Sequence, residues 1–331
     1  MNQTEHIQKY YSTSINKERI SYIDVAKGIL ILFVVYDHLP DIYMYILKLS
    51  NSHIEWLDEW QWVYKIFFMP AFFCITGMCS NFNKKFMPFL ISNLKTLILP
   101  NIVFGVILHK DILGIFLHGG AFWFLSALFL SKIVYYYINS ISKSSFIRFS
   151  ILLLLVFVGF SLNSIPVIYD LWFFHYAFCL TVFLELGKII KELDSSKLKF
   201  FSCVYVIACI LMFFADIHKP IVALDCNCQI YEAPLYVLSA FSGSCLIIYF
   251  SKIINSNQLL QFFGKESLIF YMFQIRVLLF VEKRYLNFFE VDGVLSVIQF
   301  VIVVYLVSIL ILSVVSHILE TKYFSFLIGK F

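Results

Sequence analysis

The sequence predicts an all-α integral membrane protein of about ten transmembrane helices with both termini in the cytoplasm. Three observations predict it. Hydrophobic residues make up 61% of the 331 positions and charged residues only 14%, whereas a soluble domain carries about a quarter charged residues. The apolar blocks are continuous and about 20 residues long, the length of a spanning helix, and not the alternating segments of about ten residues that build a barrel. Lysine and arginine also alternate from side to side of these blocks, as the positive-inside rule requires of a polytopic chain.

Residues 1–20 are polar and aperiodic and read as a cytoplasmic N-terminal tail, followed by a single polytopic domain over 21–331. The first apolar segment lacks a small-residue cleavage site, so it is expected to be retained as the first span. Spans are placed at 23–45, 62–80, 88–108, 121–139, 146–163, 171–190, 199–215, 233–251, 267–281 and 294–316. Of the 25 Lys and Arg residues, 17 fall on the cytoplasmic set of sides, 5 on the other, and Lys27, Lys65 and Arg276 within or at the edge of spans. That split supports an even number of spans, because one miscounted span would reverse every later loop.

Net charge is +4, too modest and too scattered to imply a nucleic-acid partner. Six cysteines lie in apolar blocks, where a small hydrophobe is the ordinary reading. Cys226 and Cys228 share a loop with only His218 and Asp225 near in sequence, so no metal is expected. The first outer loop, 46–61, carries Glu55, Asp58 and Glu59 and runs, with Trp56 and Trp60, up to Trp62. Indoles with carboxylates suit a sugar surface, and tryptophan at a membrane boundary equally suits an interfacial anchor.

The chain is organised around Arg19 to Leu39. At 100° per residue Lys27 and His38 fall within about 20° of each other on one face of a helix, and Asp24 within about 60°. They would lie roughly 16 Å apart along the axis, half the hydrocarbon thickness. Ionisable groups on an otherwise apolar span are costly and usually functional. A neutral imidazole at His38 can take a proton from a hydroxyl near neutral pH. Asp37 points about 100° away and Asp41 lies nearer its face, and either can orient the ring if the helix bends. A histidine simply hydrogen-bonded at a helix end is the alternative. Lys27 reads as a cation for phosphates or as a snorkelling boundary lysine, and Asp24 as its i, i+3 partner. Arg276 and Glu185 are the other ionisable groups well inside blocks. They read as anion- or substrate-binding residues or as partners for each other.

Five motifs then occur in order. Asp24, Lys27, Gly28 and His38 resemble a first-helix signature of an acid, a basic residue with Gly, and an apolar run ending in His. Phe68 to Phe73 with Thr76-Gly77, the segment from Leu97 through Pro100 and Phe104 to Gly105, Gly120 to Leu125 around Trp123, and Gly264 to Tyr271 follow. Together they resemble acyltransferase family 3, the integral-membrane proteins that O-acylate carbohydrates. Lysine before the Gly resembles the fucose O-acetylase-like branch.

The resemblance implies an acyl donor, acetyl-CoA, from the cytoplasm, and a carbohydrate hydroxyl of a surface polysaccharide or its lipid-linked precursor as acceptor. It implies a multi-pass protein of a bacterial cytoplasmic membrane, in contact with lipid, and leaves a homo-oligomer open. His38 matches the catalytic histidine, with Asp24 in the same signature. Lys27 matches the basic residue of the donor site, to which Arg19 and Trp123 are assigned. Gln274 stands where the late motif commonly carries a second histidine, and with Arg276 and Glu185 it is assigned to the acceptor. The competing expectation is a transporter or flippase for a lipid-linked sugar, with the polar stripe lining its pathway. Under the first expectation the Lys27–His38 face is a channel for the donor's pantetheine arm.

Overall fold

The computed structural model describes residues 20–109, 119, 122–163, 172–214, 233–321 and 325–328, and these are helical apart from turns and connections. The first helix, α1 (Ser21–Asp41), passes into one π-helical turn at Ile42–Ile46. The change follows Pro40, whose ring clashes with the carbonyl four residues back and which offers no N–H to the ladder. A short helix, α2 (Ser52–Trp60), precedes α3 (Trp62–Cys79). Helix α4 (Phe86–Asn93) runs through a π turn at Leu94–Ile98 into α5 (Leu99–His109). Then come α6 (Trp123–Ile141), α7 (Ser145–Asn163), α8 (Phe174–Glu192), α9 (Ser195–Phe214), α10 (Ala233–Ile253), α11 (Gln258–Lys265), α12 (Ser267–Leu286) and α13 (Val294–Leu319).

A helix lies at each of the ten expected spans. Among the described residues, eight stretches are long and apolar enough to cross a membrane: Ser21–Ile46, Trp62–Cys79, Phe86–Leu108, Trp123–Ile141, Ser145–Leu162, Ser195–Phe214, Ala233–Ile253 and Val294–Leu319. The other two helices are more polar. Helix α8 carries Glu185, Lys188 and Lys191, and α12 carries Arg276, Glu282, Lys283 and Arg284. Helix α8 tolerates its charges because it lies inside the bundle, with most of its residues buried. Two segments expected to be plain loops, 46–61 and the run before 267, contain the short helices α2 and α11. Each begins on an asparagine cap: the Asn51 side chain accepts from the His53 N–H, and that of Asn257 from the Leu260 N–H, both at 3.0 Å. Asn51 also donates to the Val291 carbonyl at 2.8 Å, tying α2 to the start of α13. Asp194 caps α9 in the same way, and the Lys197 N–H it accepts (2.8 Å) holds its carboxyl below the usual range.

Two helix crossings explain glycines of the sequence motifs. At the first, Gly28 of α1 faces the Leu260 carbonyl of α11, and Gly264 faces the backbone of Asp24. At the second, Gly77 of α3 faces the Leu184 carbonyl, and Gly187 of α8 faces the Cys74 carbonyl. A Cβ at any of the four would overlap backbone, which cannot move aside as a side chain can. With hydrocarbon outside, close approach of small residues is what holds such helices together. Gly264→Val is therefore expected to destabilise the protein by about 1–3 kcal/mol. An unchanged thermal midpoint in detergent would show that the crossing is slack.

Candidate active site

His38 lies near the far end of α1, roughly 25 Å along the axis from Ser21. Its side chain is 29% exposed, and its Nδ1 is 3.6 Å from a carboxylate oxygen of Asp41, one turn on. Asp37, the residue before it, is buried. The Lys65 ammonium of α3 approaches Asp37 at 3.3 Å and Asp58 at 3.5 Å. Gln61, also buried, donates to the Asp37 carbonyl at 3.3 Å, and the Tyr64 hydroxyl faces the Asp37 carboxylate. Asp41 thus stands beside the imidazole, while Asp37 joins α1 to α3. Ligand atoms of Asp37, His38 and Asp41 all lie within 4.8 Å of one another, the set among the described residues that could hold a metal ion. Lys65 already supplies a cation to that set.

The remaining stripe is not one site. Asp24 is buried at the α11 crossing and stands roughly 21 Å along the axis from His38, too far for both to touch one reacting atom. Lys27 is half-buried and does not pair with Asp24. Ile31 and Val34, which lie between Lys27 and His38 on that face, are each 1% exposed. The expected channel along this face is therefore filled by packed side chains. Arg19, and the loop with Cys226 and Cys228, lie outside the described residues.

Of the remaining candidates, Trp123 opens α6 with its ring 4.8 Å from that of Tyr176. Its neighbours Phe122 and Phe124 contact the Tyr271 ring of α12 at 5.9 and 5.5 Å, and the Phe124 N–H donates to the Tyr271 hydroxyl at 3.2 Å. Gln274, one turn further along α12, is buried, and its Oε1 has no partner among the described residues. Helix α11 crosses α1 in the opposite direction, with Leu260 against Gly28 and Gly264 against Asp24. Helix α12 then runs alongside α1 in the same direction, with Glu282 near Tyr43. Gln274 therefore comes about one turn short of the level of His38. Arg276 is exposed and donates to the Leu108 carbonyl at the end of α5.

Glu185 and Arg276 do not pair. The Glu185 carboxylate, 1% exposed, takes Arg148 through Nη2 (2.7 Å) and Nε (3.1 Å), the Ser145 hydroxyl (2.6 Å) and the Tyr135 hydroxyl. Those bonds occupy its lone pairs and tie α8 to α6 and α7. The sequence assignment of Glu185 to the acceptor is replaced by a structural one, because nothing is left on the carboxylate to offer a sugar.

Sequence reasoning missed Lys65, Gln61 and Tyr64 as neighbours of the His38 end. The signal was present: Lys65 enters an apolar block one turn after Gln61 and two turns after Asp58. It also missed Asn101, directly after the Pro100 of the third motif, which donates to the Gly119 carbonyl (3.0 Å) and the Ser126 hydroxyl (2.8 Å).

A second face of α1, opposite His38, borders an apolar groove of about 600 Å³ lined by Ile29, Phe33 and Tyr36, Tyr305 and Leu306 of α13, and Tyr64. Tyr64 thus touches the groove and faces Asp37, linking the two sides of the helix.

The family model of an acyltransferase domain matches residues 20–313, from the first residue of the described chain into the last long helix. The chain belongs to acyltransferase family 3. No curated protein and no solved structure matches it. The matched region takes in every motif noted above, so this acyltransferase is a membrane enzyme built on one bundle, with His38 and its carboxylates at one end.

Proposed function

We propose that this acyltransferase moves an acetyl group from acetyl-CoA to a hydroxyl of a surface polysaccharide or its lipid-linked precursor, with His38 as general base. The observation that carries the reading is His38 itself: a part-exposed imidazole at the end of a buried helix, with Asp41 beside Nδ1. A carboxylate there favours the tautomer with hydrogen on Nδ1 and leaves Nε2 free to accept a proton. Nε2 takes the proton of the sugar hydroxyl, and the oxygen attacks the thioester carbonyl. The carbon–sulfur bond breaks, and the imidazolium returns its proton to the departing thiolate, so that alcohol and thioester become ester and thiol. Arg19, Lys27 and Trp123 are proposed for the donor, and Gln274 and Arg276 for the acceptor. Asp24 acts in this scheme only by shaping the α11 crossing.

The apolar groove beside Tyr64 suits the hydrocarbon of a lipid-linked acceptor, since Ile302 and Leu306 on its α13 wall are about half exposed. Lysine at position 27, before Gly28, supports the fucose O-acetylase-like branch. The Lys and Arg distribution supports ten spans with cytoplasmic termini in a bacterial membrane, so the donor's nucleotide half is proposed at the Lys27 end. Because Ile31 and Val34 close that face of α1, its pantetheine arm reaches His38 by another path through the bundle.

Deleting the gene is expected to remove alkali-labile acetyl esters from the surface glycan, and plasmid-borne wild type to restore them. Unchanged ester content after deletion would count against the acceptor class. Asp41→Asn is expected to lower turnover roughly tenfold with little change in KM, because it alters the base and not the binding surfaces. An equal rate in the variant would mean that Asp41 does not orient the ring.

A further inference from the structure

One cluster of charge lies outside the site described above. Lys132 sits on α6 with its ammonium 5.9 Å from the centre of the Phe89 ring of α4. Tyr136, one turn further along the same face of α6, stacks on Phe89 at 4.9 Å and donates its hydroxyl to the Lys84 carbonyl at 2.9 Å. These contacts set the Lys84 backbone against the face of α6 that carries Lys132, so that the two lysine charges act on each other. The ion pairs among the described residues join His38 to Asp41, Lys65 to Asp37 and Asp58, Arg148 to Glu185, and Lys197 to Asp194. None reaches Lys84 or Lys132.

Lys132 is partly buried and Lys84 is exposed at the rim beside it. A partly desolvated cation with a second cation near it and no carboxylate is costly, and an anion between them offsets the cost. Cys79 at the end of α3 interacts with both Lys132 and Tyr22. The pair is therefore at the end of the bundle where α1 begins, the end of Lys27 and opposite to that of His38.

We propose that Lys84 and Lys132 form a binding site for a phosphate group at this face of the membrane. Lysine ammoniums bind phosphate oxygens by charge-assisted hydrogen bonds. The phosphate has two sources, the nucleotide half of the acyl donor or an anionic lipid headgroup. Only the first source rests on the acetyl-CoA reading above.

The test uses the full-length protein in nanodiscs, with Lys84→Gln, Lys132→Gln, the double variant and Lys132→Arg. Lys197→Gln, whose lysine pairs with Asp194 elsewhere, is the control. In one arm, coenzyme A is titrated into phosphatidylcholine discs. In the other, retention of phosphatidylglycerol is measured by native mass spectrometry. In at least one arm each glutamine substitution is expected to weaken binding about tenfold and the double variant more. Lys132→Arg and the control stay near wild type. A lysine-dependent change with coenzyme A assigns the donor's phosphates. A change with the lipid alone assigns a headgroup, and the site stands although the donor lies elsewhere. Wild-type and double-variant affinities that agree in both arms, or no binding in either, overturn the site. If coenzyme A still binds in that case, the acyltransferase reading survives without it. Should Lys132→Gln fail to fold, Lys84→Gln with Lys132→Arg decides the same question.

Discussion

His38→Ala is expected to reduce acyl transfer by roughly 10²- to 10⁴-fold, the range that a positioned general base supplies. The loss falls on kcat and not on KM if the imidazole acts only as the proton is transferred. Folding is expected to survive, because the side chain is 29% exposed and its ion-pair partner is Asp41, 33% exposed, which can return to solvent. The variant must therefore be checked for an unchanged thermal midpoint before its rate is interpreted. A folded His38→Ala protein that transfers acetyl at the wild-type rate removes the residue as the base. A rate loss accompanied by unfolding would instead make it a structural histidine.

The second large effect is on stability and lies away from the chemistry. Arg148→Ala leaves the Glu185 carboxylate, 1% exposed, without its cation. Breaking a buried pair by removing one partner costs about 3–5 kcal/mol, since a buried charge is left uncompensated. Tyr135 and Ser145 still donate to the carboxylate, which places the expected loss toward the lower end of that range. Glu185→Gln with Arg148→Met, which removes both charges, is expected to recover much of it. Thermal unfolding in detergent for the two single variants and the pair reads this out. Equal midpoints for wild type and Arg148→Ala would mean that the network does not hold α7 against α8.

Much of this architecture was legible before any coordinates. Apolar length located a helix at each expected span, because in a bilayer the backbone must satisfy its own hydrogen bonds and so runs helical. The placing of Asp41 nearer than Asp37 to the face of His38 also followed from the 100° period, and Asp41 is the residue beside the ring. Periodicity says which residues share a face but not what covers it. Hence Ile31 and Val34 close a stripe that looked like a passage. The same limit applies to pairing across the bundle: Glu185 meets Arg148, 37 positions away, and not Arg276, because α7 lies against α8. The glycines of the motifs carried information of another kind. Gly28, Gly77 and Gly264 mark backbone crossings, so part of the family signature concerns packing and not catalysis.

The central claim is group transfer by this chain through His38. It is tested most directly by wild type and His38→Ala reconstituted in separate proteoliposomes with a lipid-linked glycan and acetyl-labelled acetyl-CoA. Label in alkali-labile ester on the glycan and free thiol are measured in each. The account predicts ester and thiol appearing in equal amounts with wild type and almost none with the variant. Wild-type protein that transfers no label while moving the lipid-linked glycan between leaflets would contradict it.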